Sequence, residues 1–154
     1  MNRLWVVLGR AAYVVVRPLM YLYLKDSQRT RIIVRTDDKI LLLKDWLGDG
    51  SWKFPGGGVH KNEEVVHAAC RELHEETGIN LAAQQLKEAG NLQLSSQAIN
   101  IQLHIFIAKL DNPWPVKKQP FEIVEIEWDN IADINQFKLS ADTATVLRKI
   151  GLTL

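Results

Sequence analysis

Apolar and polar residues alternate in several stretches of the chain after residue 28. Runs rich in β-branched and apolar residues at 29–35 and 40–44 surround Thr36-Asp37-Asp38-Lys39, which predicts a β-hairpin. Residues 99–107 alternate strictly between aliphatic and mostly polar side chains, and residues 121–128 alternate in the same way. A period of two is typical of strands with one face in a core. The pattern therefore predicts four strands.

Two other segments carry the residues that begin and end helices. Asn62 is a favourable N-cap for a helix from about Glu63 to Thr77, and Gly78 suits the left-handed position that ends it. Ser140 indicates the start of a second helix over about 141–150. Strands and two helices without regular alternation predict an α+β domain with a mixed sheet.

The first 24 residues differ in character from the rest of the chain. They are mostly apolar, and Arg3, Arg10 and Arg17 recur every seven positions, which aligns them along one side of a helix that Pro18 should interrupt. The longest uncharged run has seven residues, whereas a membrane span needs about 20 apolar residues. No cleavage site typical of a signal peptide follows. We therefore divide the chain into an N-terminal apolar helical extension, residues 1–24, and a domain over residues 25–154.

Three interpretations of this extension remain open. It packs on its own domain or on a partner subunit as a homodimer, it lies in a membrane surface with its arginines reaching the headgroups, or it is poorly ordered. We expect residues 1–24 to be unnecessary for the chemistry of the protein.

The composition limits the class of function. The 154 residues suit one domain, and 47% hydrophobic with 24% charged residues is typical of a globular protein. Nineteen basic and 18 acidic residues give a net charge of +1, which gives no reason to expect a polymeric nucleic acid bound by bulk charge. The single cysteine, Cys70, excludes an internal disulfide and a cysteine-based zinc site. It fits a reducing compartment, and we expect a cytoplasmic protein.

A glycine-rich loop, Gly56 to Gly58, leads into a helix with three glutamates close together. On a helical wheel Glu72, Glu75 and Glu76 fall within about 100° of one another. This cluster is either a solvated acidic face or a binding site for a divalent cation, which would offset the repulsion of like charges. Oxygen-only ligands favour Mg²⁺, Mn²⁺ or Ca²⁺ over zinc. Arg71, four residues before Glu75, can hold that carboxylate in one rotamer.

Residues 57–79 resemble the Nudix box, G-x5-E-x7-R-E-U-x-E-E-x-G-U, in which U is a bulky aliphatic residue. Gly57, Glu63 and the run from Arg71 to Ile79 occupy every fixed position, and residues 52–57 are similar to the usual lead-in. The resemblance covers about residue 29 to the C-terminus and leaves out residues 1–24. It implies an α/β/α sandwich around a mixed sheet. It also implies hydrolysis of a nucleoside diphosphate linked to another group.

The resemblance also implies roles for individual residues. Glu72, Glu75 and Glu76 match the metal-binding carboxylates, and the carbonyl of Gly57 can join them. The implied cofactor is Mg²⁺, with Mn²⁺ as a substitute. Arg71, together with Glu63, matches the supporting positions.

The general base remains open between two residues. In some Nudix proteins it is the glutamate that matches Glu72, and in others it lies outside the box. Glu122, which with Glu125 precedes Trp128, resembles an acidic pair of that later region. The alternative to an enzyme is a nucleotide-binding regulatory module that keeps the fold without turnover.

The sequence does not select one substrate. The residues typical of relatives that act on ADP-ribose or dinucleoside polyphosphates are missing around residues 93–97, and no marker for coenzyme A or NADH is present. Ordinary or oxidised nucleoside triphosphates and nucleotide sugars therefore stay open as substrates.

Overall fold

Five strands and two α-helices follow residue 26 in the structure, a computed structural model that describes residues 7–9, 11–16, 26–96 and 99–152. The strands are β1 (Ser27–Arg35), β2 (Lys39–Asp45), β3 (Lys87–Ser96), β4 (Ile99–Lys109) and β5 (Ile123–Asn130). The helices are α1 (Val65–Thr77) and α2 (Ala141–Lys149), and short 3₁₀ helices span Ala83–Gln85 and Ile131–Gln136.

The strands form one mixed sheet in the order β3-β4-β1-β2-β5. Strands β1 and β4 are parallel, with Arg31 opposite Ile105, and every other neighbouring pair is antiparallel. The β1–β2 hairpin closes where Arg35 pairs with Ile40, as the sequence pattern predicted. The α+β architecture with a mixed central sheet is therefore confirmed.

Each face of the sheet carries its own hydrophobic core. Alternate residues of β1 point in opposite directions, so Ile32 packs with Leu73 of α1, and Ile33 packs with Val146 of α2. The two helices thus cover opposite faces of the sheet, which gives the expected α/β/α layers.

The predicted start of α1 is wrong by two residues. The helix begins at Val65, and its N-cap is Glu64, which makes no side-chain capping bond. Asn62 instead adopts a left-handed backbone with φ +65°. The Glu63 carboxylate accepts a hydrogen bond from the His60 N–H at 2.9 Å, so the preceding residues form a turn. The end of α1 is as predicted, because Gly78 has φ +73° and donates its N–H to the His74 carbonyl.

One strand was not predicted, and another begins later than predicted. The alternation did not predict β3, an edge strand in which a bulge between Glu88 and Gly90 interrupts the pattern. Strand β5 begins at Ile123, later than expected, because Phe121 is in the left-handed region with φ +73°.

Residues 7–9 and 11–16 of the extension are helical and pack on the domain. Gly9 is buried, and a Cβ at this position would overlap the carbonyl oxygen and indole of Trp46. Tyr13, four residues later on the same side, is half-buried. Four aliphatic residues face away from the domain, with exposed fractions between 49% and 76%: Val7, Leu8, Val14 and Val15.

The remaining predictions about the extension, on Arg3, Arg10, Arg17 and Pro18, lie outside the described residues. No helix in the described ranges is long and apolar enough to cross a bilayer.

Candidate active site

The glycine-rich loop is fixed against β1 by backbone hydrogen bonds. The N–H of Thr30 donates to the Gly57 carbonyl at 2.8 Å, and the N–H of Ile32 donates to the Pro55 carbonyl at 2.9 Å. Gly56 has φ +133°, and a Cβ there would overlap the Thr30 carbonyl. Only glycine allows so close an approach, so the loop backbone lies in direct contact with the backbone of β1.

Gly57 brings this loop into contact with α1. A Cβ on Gly57 would overlap the carboxylate of Glu72, so the absence of a side chain lets that carboxylate lie against the loop backbone. The Gly57 carbonyl oxygen already accepts one hydrogen bond, from Thr30, and has a second lone pair. The structure therefore brings together two residues that the sequence predicted to share a site.

Arg71 connects the acidic residues at the outer side of α1. Its guanidinium pairs with both oxygens of Glu63 at 2.8 and 3.0 Å, with Glu72 at 2.8 Å and with Glu75 at 3.2 Å. It also donates to the Gly58 carbonyl at 3.0 Å. These hydrogen bonds from Arg71 lower the pKa of Glu63 to about 2. The network holds the guanidinium in one orientation, beside two of the predicted metal ligands.

Glu76 is buried, so the prediction of one face shared by three similar carboxylates is only partly correct. One oxygen of Glu76 accepts the Gly56 N–H at 2.7 Å, and the other lies 3.3 Å from the ammonium of Lys53. Lys53 also lies 2.8 Å from a carboxylate oxygen of Asp45. Burial disfavours the charged lysine, but the charges of Glu76 and Asp45 outweigh it and raise the pKa of Lys53. Glu76 is therefore paired with Lys53, whereas Glu72 and Glu75 are paired with Arg71.

A cavity of about 470 Å³ opens at this point, and we call it the catalytic cavity. Glu72, Glu76 and Gly57 line it together with Glu122, which the loop before β5 supplies. The Trp46 N–H donates to the Glu122 carbonyl at 2.6 Å and joins that loop to the end of β2. The structure thus brings Glu122 to the cavity of Glu72, although 50 positions separate them in sequence.

The other two acidic candidates lie apart from the catalytic cavity. The side chain of Glu75 is 49% exposed and does not line it. Glu125 forms an ion pair with Lys44 at 2.7 Å.

The oxygen atoms at the catalytic cavity are of the type that a hard divalent cation prefers, but their positions do not form a coordination site. Glu72, Glu76 and the Gly57 carbonyl offer only oxygen ligands, which suits Mg²⁺. Within the described ranges, however, no three acidic, histidine or cysteine side chains converge as a metal would require. The carboxylates turn toward Arg71 and Lys53 instead. Arg71 and Lys53 offset part of the repulsion between the carboxylates, so a metal is not the only way to stabilise the acidic cluster. The cluster alone is therefore weaker support for a metal site than the sequence indicated.

A buried ion pair between Arg31 and Asp142, which the sequence analysis did not predict, contacts the glycine-rich loop. Arg31 lies 2.7 Å from Asp142 at the start of α2, and donates to the carbonyls of Thr30 and Gly56 at 3.0 and 2.9 Å. Burial raises the pKa of Asp142, but Arg31 and the Ser140 hydroxyl overcome this and hold it well below its usual range. The one signal in the sequence is that Arg31 directly precedes the apolar run of β1, Ile32 to Val34.

The chain is similar in sequence to a known family and to several known proteins. A family model described as the NUDIX domain matches residues 26–150. The mRNA decapping complex subunit 2 of Schizosaccharomyces pombe is 30% identical over 118 residues, which cover 71% of this chain and 16% of that protein. An RNA pyrophosphohydrolase of Halorhodospira halophila is 45% identical over 51 residues, covering 33% of this chain and 28% of that protein.

Solved structures extend the likeness to the fold. A MutT NUDIX hydrolase from Burkholderia pseudomallei superposes with a TM-score of 0.70 at 24% identity, covering 80% of this chain and 97% of that chain. An Ap4A hydrolase from C. elegans gives 0.66 at 23% identity, covering 81% and 95%. The curated relatives named above are matched over only 16% and 28% of their own length.

Proposed function

The chain belongs to the Nudix family, and we propose that it is a Mg²⁺-dependent pyrophosphohydrolase that cleaves a nucleoside diphosphate linked to another group. The observation that carries this proposal is the catalytic cavity, where Glu72, Glu76, Gly57 and Glu122 meet. The residues come from three separate parts of the chain, the glycine loop, α1 and the loop before β5. If the glutamates of α1 formed only a solvent-exposed acidic face, there would be no reason for residues of the other two segments to line the same cavity.

Glu72, Glu76 and the Gly57 carbonyl would hold the metal, and Glu75 would join them after release from Arg71. Mg²⁺ held by these residues, or Mn²⁺ in its place, would supply charge neutralisation for the diphosphate and Lewis acidity that activates water. Arg71 keeps Glu72 directed at the glycine loop through its bond at 2.8 Å. Burial raises the pKa of Glu76, and the charge of Lys53 opposes that rise. Lys53 also adds a positive charge at the wall of the catalytic cavity.

We propose Glu122 as the general base. Glu72 is engaged by Arg71 at 2.8 Å and is itself one of the proposed metal ligands, so its oxygens already have partners. Glu122 is exposed at the same cavity, where water can reach it. Glu122→Gln should lower kcat and preserve metal binding, whereas Glu72→Gln should lose both. Equal loss of metal binding in the two variants would contradict this division of roles.

The experiment that tests the activity is a substrate panel with and without metal. We would incubate the full chain with nucleoside triphosphates, nucleotide sugars, ADP-ribose and a dinucleoside tetraphosphate, and measure the release of phosphate and nucleoside monophosphate in Mg²⁺ and in EDTA. Because the names of two relatives refer to RNA, the panel includes capped and 5′-triphosphorylated oligonucleotides. Turnover that EDTA does not reduce contradicts the proposal. Nucleotide binding without any turnover supports the alternative, a regulatory module.

We also propose that the outer face of the extension contacts an anionic lipid surface. Val7, Leu8, Val14 and Val15 are exposed there, and residues 1–25 contain four basic side chains and no acidic one. An apolar helix face in a basic segment is typical of peripheral contact with anionic membranes.

The test is co-sedimentation with phosphatidylserine-containing and with pure phosphatidylcholine vesicles. We expect binding to the former, weakened by Val15→Asp and not by the charge-matched control Gln84→Asp on the domain surface. Equal binding of all three forms, or a dimeric mass that Val15→Asp abolishes, would contradict a lipid partner.

A further inference from the structure

A second cavity, of about 480 Å³, adjoins the catalytic cavity, and we call it the adjoining cavity. Four residues line both: Arg29, Asp45, Leu47 and Lys53. Its volume lies within the roughly 300–1,000 Å³ of small-molecule sites. A ligand with its diphosphate at Glu72 and Glu76 could extend past these shared residues into this space.

The walls of the adjoining cavity suit a flat, partly apolar group. Leu94 of β3 and Ile101 and Leu103 of β4 supply aliphatic surface on the side of the sheet. Tyr13 of the extension is the aromatic side chain among the described residues that line it. An aromatic ring beside aliphatic walls is the surface on which nucleobases stack.

The extension holds Tyr13 there by close packing. Gly9 lies so near Trp46 that any Cβ would overlap it, which fixes the helix against the loop after β2. Tyr13 is one turn further on the same side and is half-buried, whereas Val14 and Val15 are 70% and 76% exposed. The helix therefore presents Tyr13 to the cavity and its valines outward.

We propose that Tyr13 is a substrate-positioning residue whose ring stacks on the base of the bound nucleoside. The extension then forms one wall of the binding site. This inference rests on the proposed function and names the part of the substrate that the adjoining cavity takes. It revises the expectation that residues 1–24 are dispensable: the chemical step needs none of them, but substrate binding depends on Tyr13.

The test compares ligands with and without a base. We would measure the binding of ADP, GDP, CDP, UDP and inorganic pyrophosphate, each with Mg²⁺, by titration calorimetry. Loss of one base–aromatic stack should raise the Kd of the tightest nucleoside diphosphate about 5- to 150-fold in Tyr13→Ala and in Tyr13→Leu. Tyr13→Phe keeps the ring and should stay within about twofold of the wild type. Pyrophosphate has no base, so its Kd should change in none of these variants.

Two controls separate stacking from a structural effect. Val14→Ala alters the exposed side of the same helix and should leave every Kd unchanged. On the best substrate of the panel, Tyr13→Ala should raise KM and leave kcat within about threefold. Tyr13→Leu preserves apolar volume, so it tests the ring even if Tyr13→Ala disturbs the helix.

Different results would refute the inference and the proposed function. If the wild type binds nucleoside diphosphates and hydrolyses substrate, but Tyr13→Ala and Tyr13→Leu bind as tightly, the role of Tyr13 is refuted alone. Equal weakening of pyrophosphate binding also refutes it, because the effect then does not involve a base. If the wild type neither binds nor hydrolyses any nucleotide, the proposed function itself fails.

Discussion

Glu76→Gln tests the proposed metal site most directly, because it keeps the size of the side chain and removes one charge. The glutamine carbonyl can still accept the Gly56 N–H, whereas Lys53 loses one of its two carboxylates and keeps Asp45 at 2.8 Å. Removing one partner of a buried ion pair costs about 3–5 kcal/mol when the other charge is left alone. Because Asp45 remains, we expect a loss of about 1–3 kcal/mol. The total free energy of unfolding of a domain is typically about 5–15 kcal/mol, so the variant should stay folded.

The effect on catalysis should be larger than the effect on the fold. We expect kcat to fall at least about 100-fold, which corresponds to about 2.7 kcal/mol of transition-state stabilisation. Saturating Mg²⁺ should also stabilise the wild type, by about 2.7 kcal/mol at a concentration 100 times its Kd. For a chain of this length that is a rise in Tm of roughly 5–10 °C. Glu76→Gln should show much less of this rise.

The assay is therefore a pair of measurements, kcat against Mg²⁺ concentration and Tm with Mg²⁺ or EDTA. The control is Glu64→Gln, the same chemical change at the N-cap of α1, where the side chain is 75% exposed. Turnover like that of the wild type at saturating Mg²⁺ would refute a metal role for Glu76. A lower Tm with an unchanged response to Mg²⁺ would assign Glu76 to the buried ion pair alone.

Three further changes test the surroundings of the site. Arg71→Lys cannot reproduce the forked contacts and should reduce activity or Mg²⁺ affinity about 10- to 100-fold, as other residues that orient metal ligands do; an unchanged Mg²⁺ titration would contradict this. Gly57→Ala should displace the Glu72 carboxylate and lower kcat about tenfold or more, with a Tm that changes little, because the overlapped atoms end a flexible side chain. Arg31 holds the pKa of Asp142 below its usual range, so this stabilisation is complete above about pH 4 and is lost as the pH falls through the lowered pKa. Unfolding free energies between pH 6 and 2 should therefore depend less on pH in Asp142→Asn than in the wild type.

The elements that the sequence predicted well are those whose local signals agree with their packing. Strand β4 alternates over its first half because Leu103 and Ile105 pack in one core while Asn100 and Gln102 on the other face are exposed. Helix α1 ends at Gly78 because its positive φ suits glycine. The signals failed where a local contact overrides them. Gly90 bends β3 at a bulge, and Glu63 uses its carboxylate in a turn, which delays the start of α1.

The candidate site was predictable only as far as its residues are close in the sequence. The loop at Gly57 and the helix at Glu72 lie within one motif, so the resemblance to the Nudix box could imply their contact. The pairing of Lys53 with Asp45 depends on the strand register and the path of the loop, which no local pattern reports. Tyr13 was missed for the same reason, since its place depends on how Gly9 packs.

The charges that line the catalytic cavity explain why a cation and the substrate should bind together. Four acidic side chains line it, those of Asp45, Glu72, Glu76 and Glu122, and they outnumber the two basic ones, Arg29 and Lys53. A diphosphate is itself an anion, so this cavity repels it until positive charge is added. A divalent cation bound there would offset the acidic lining, while Arg71 and Lys53 keep the carboxylates in place. On the proposed function, nucleotide affinity should therefore depend on the metal before any chemical step begins, and the two should strengthen each other's binding by the same factor.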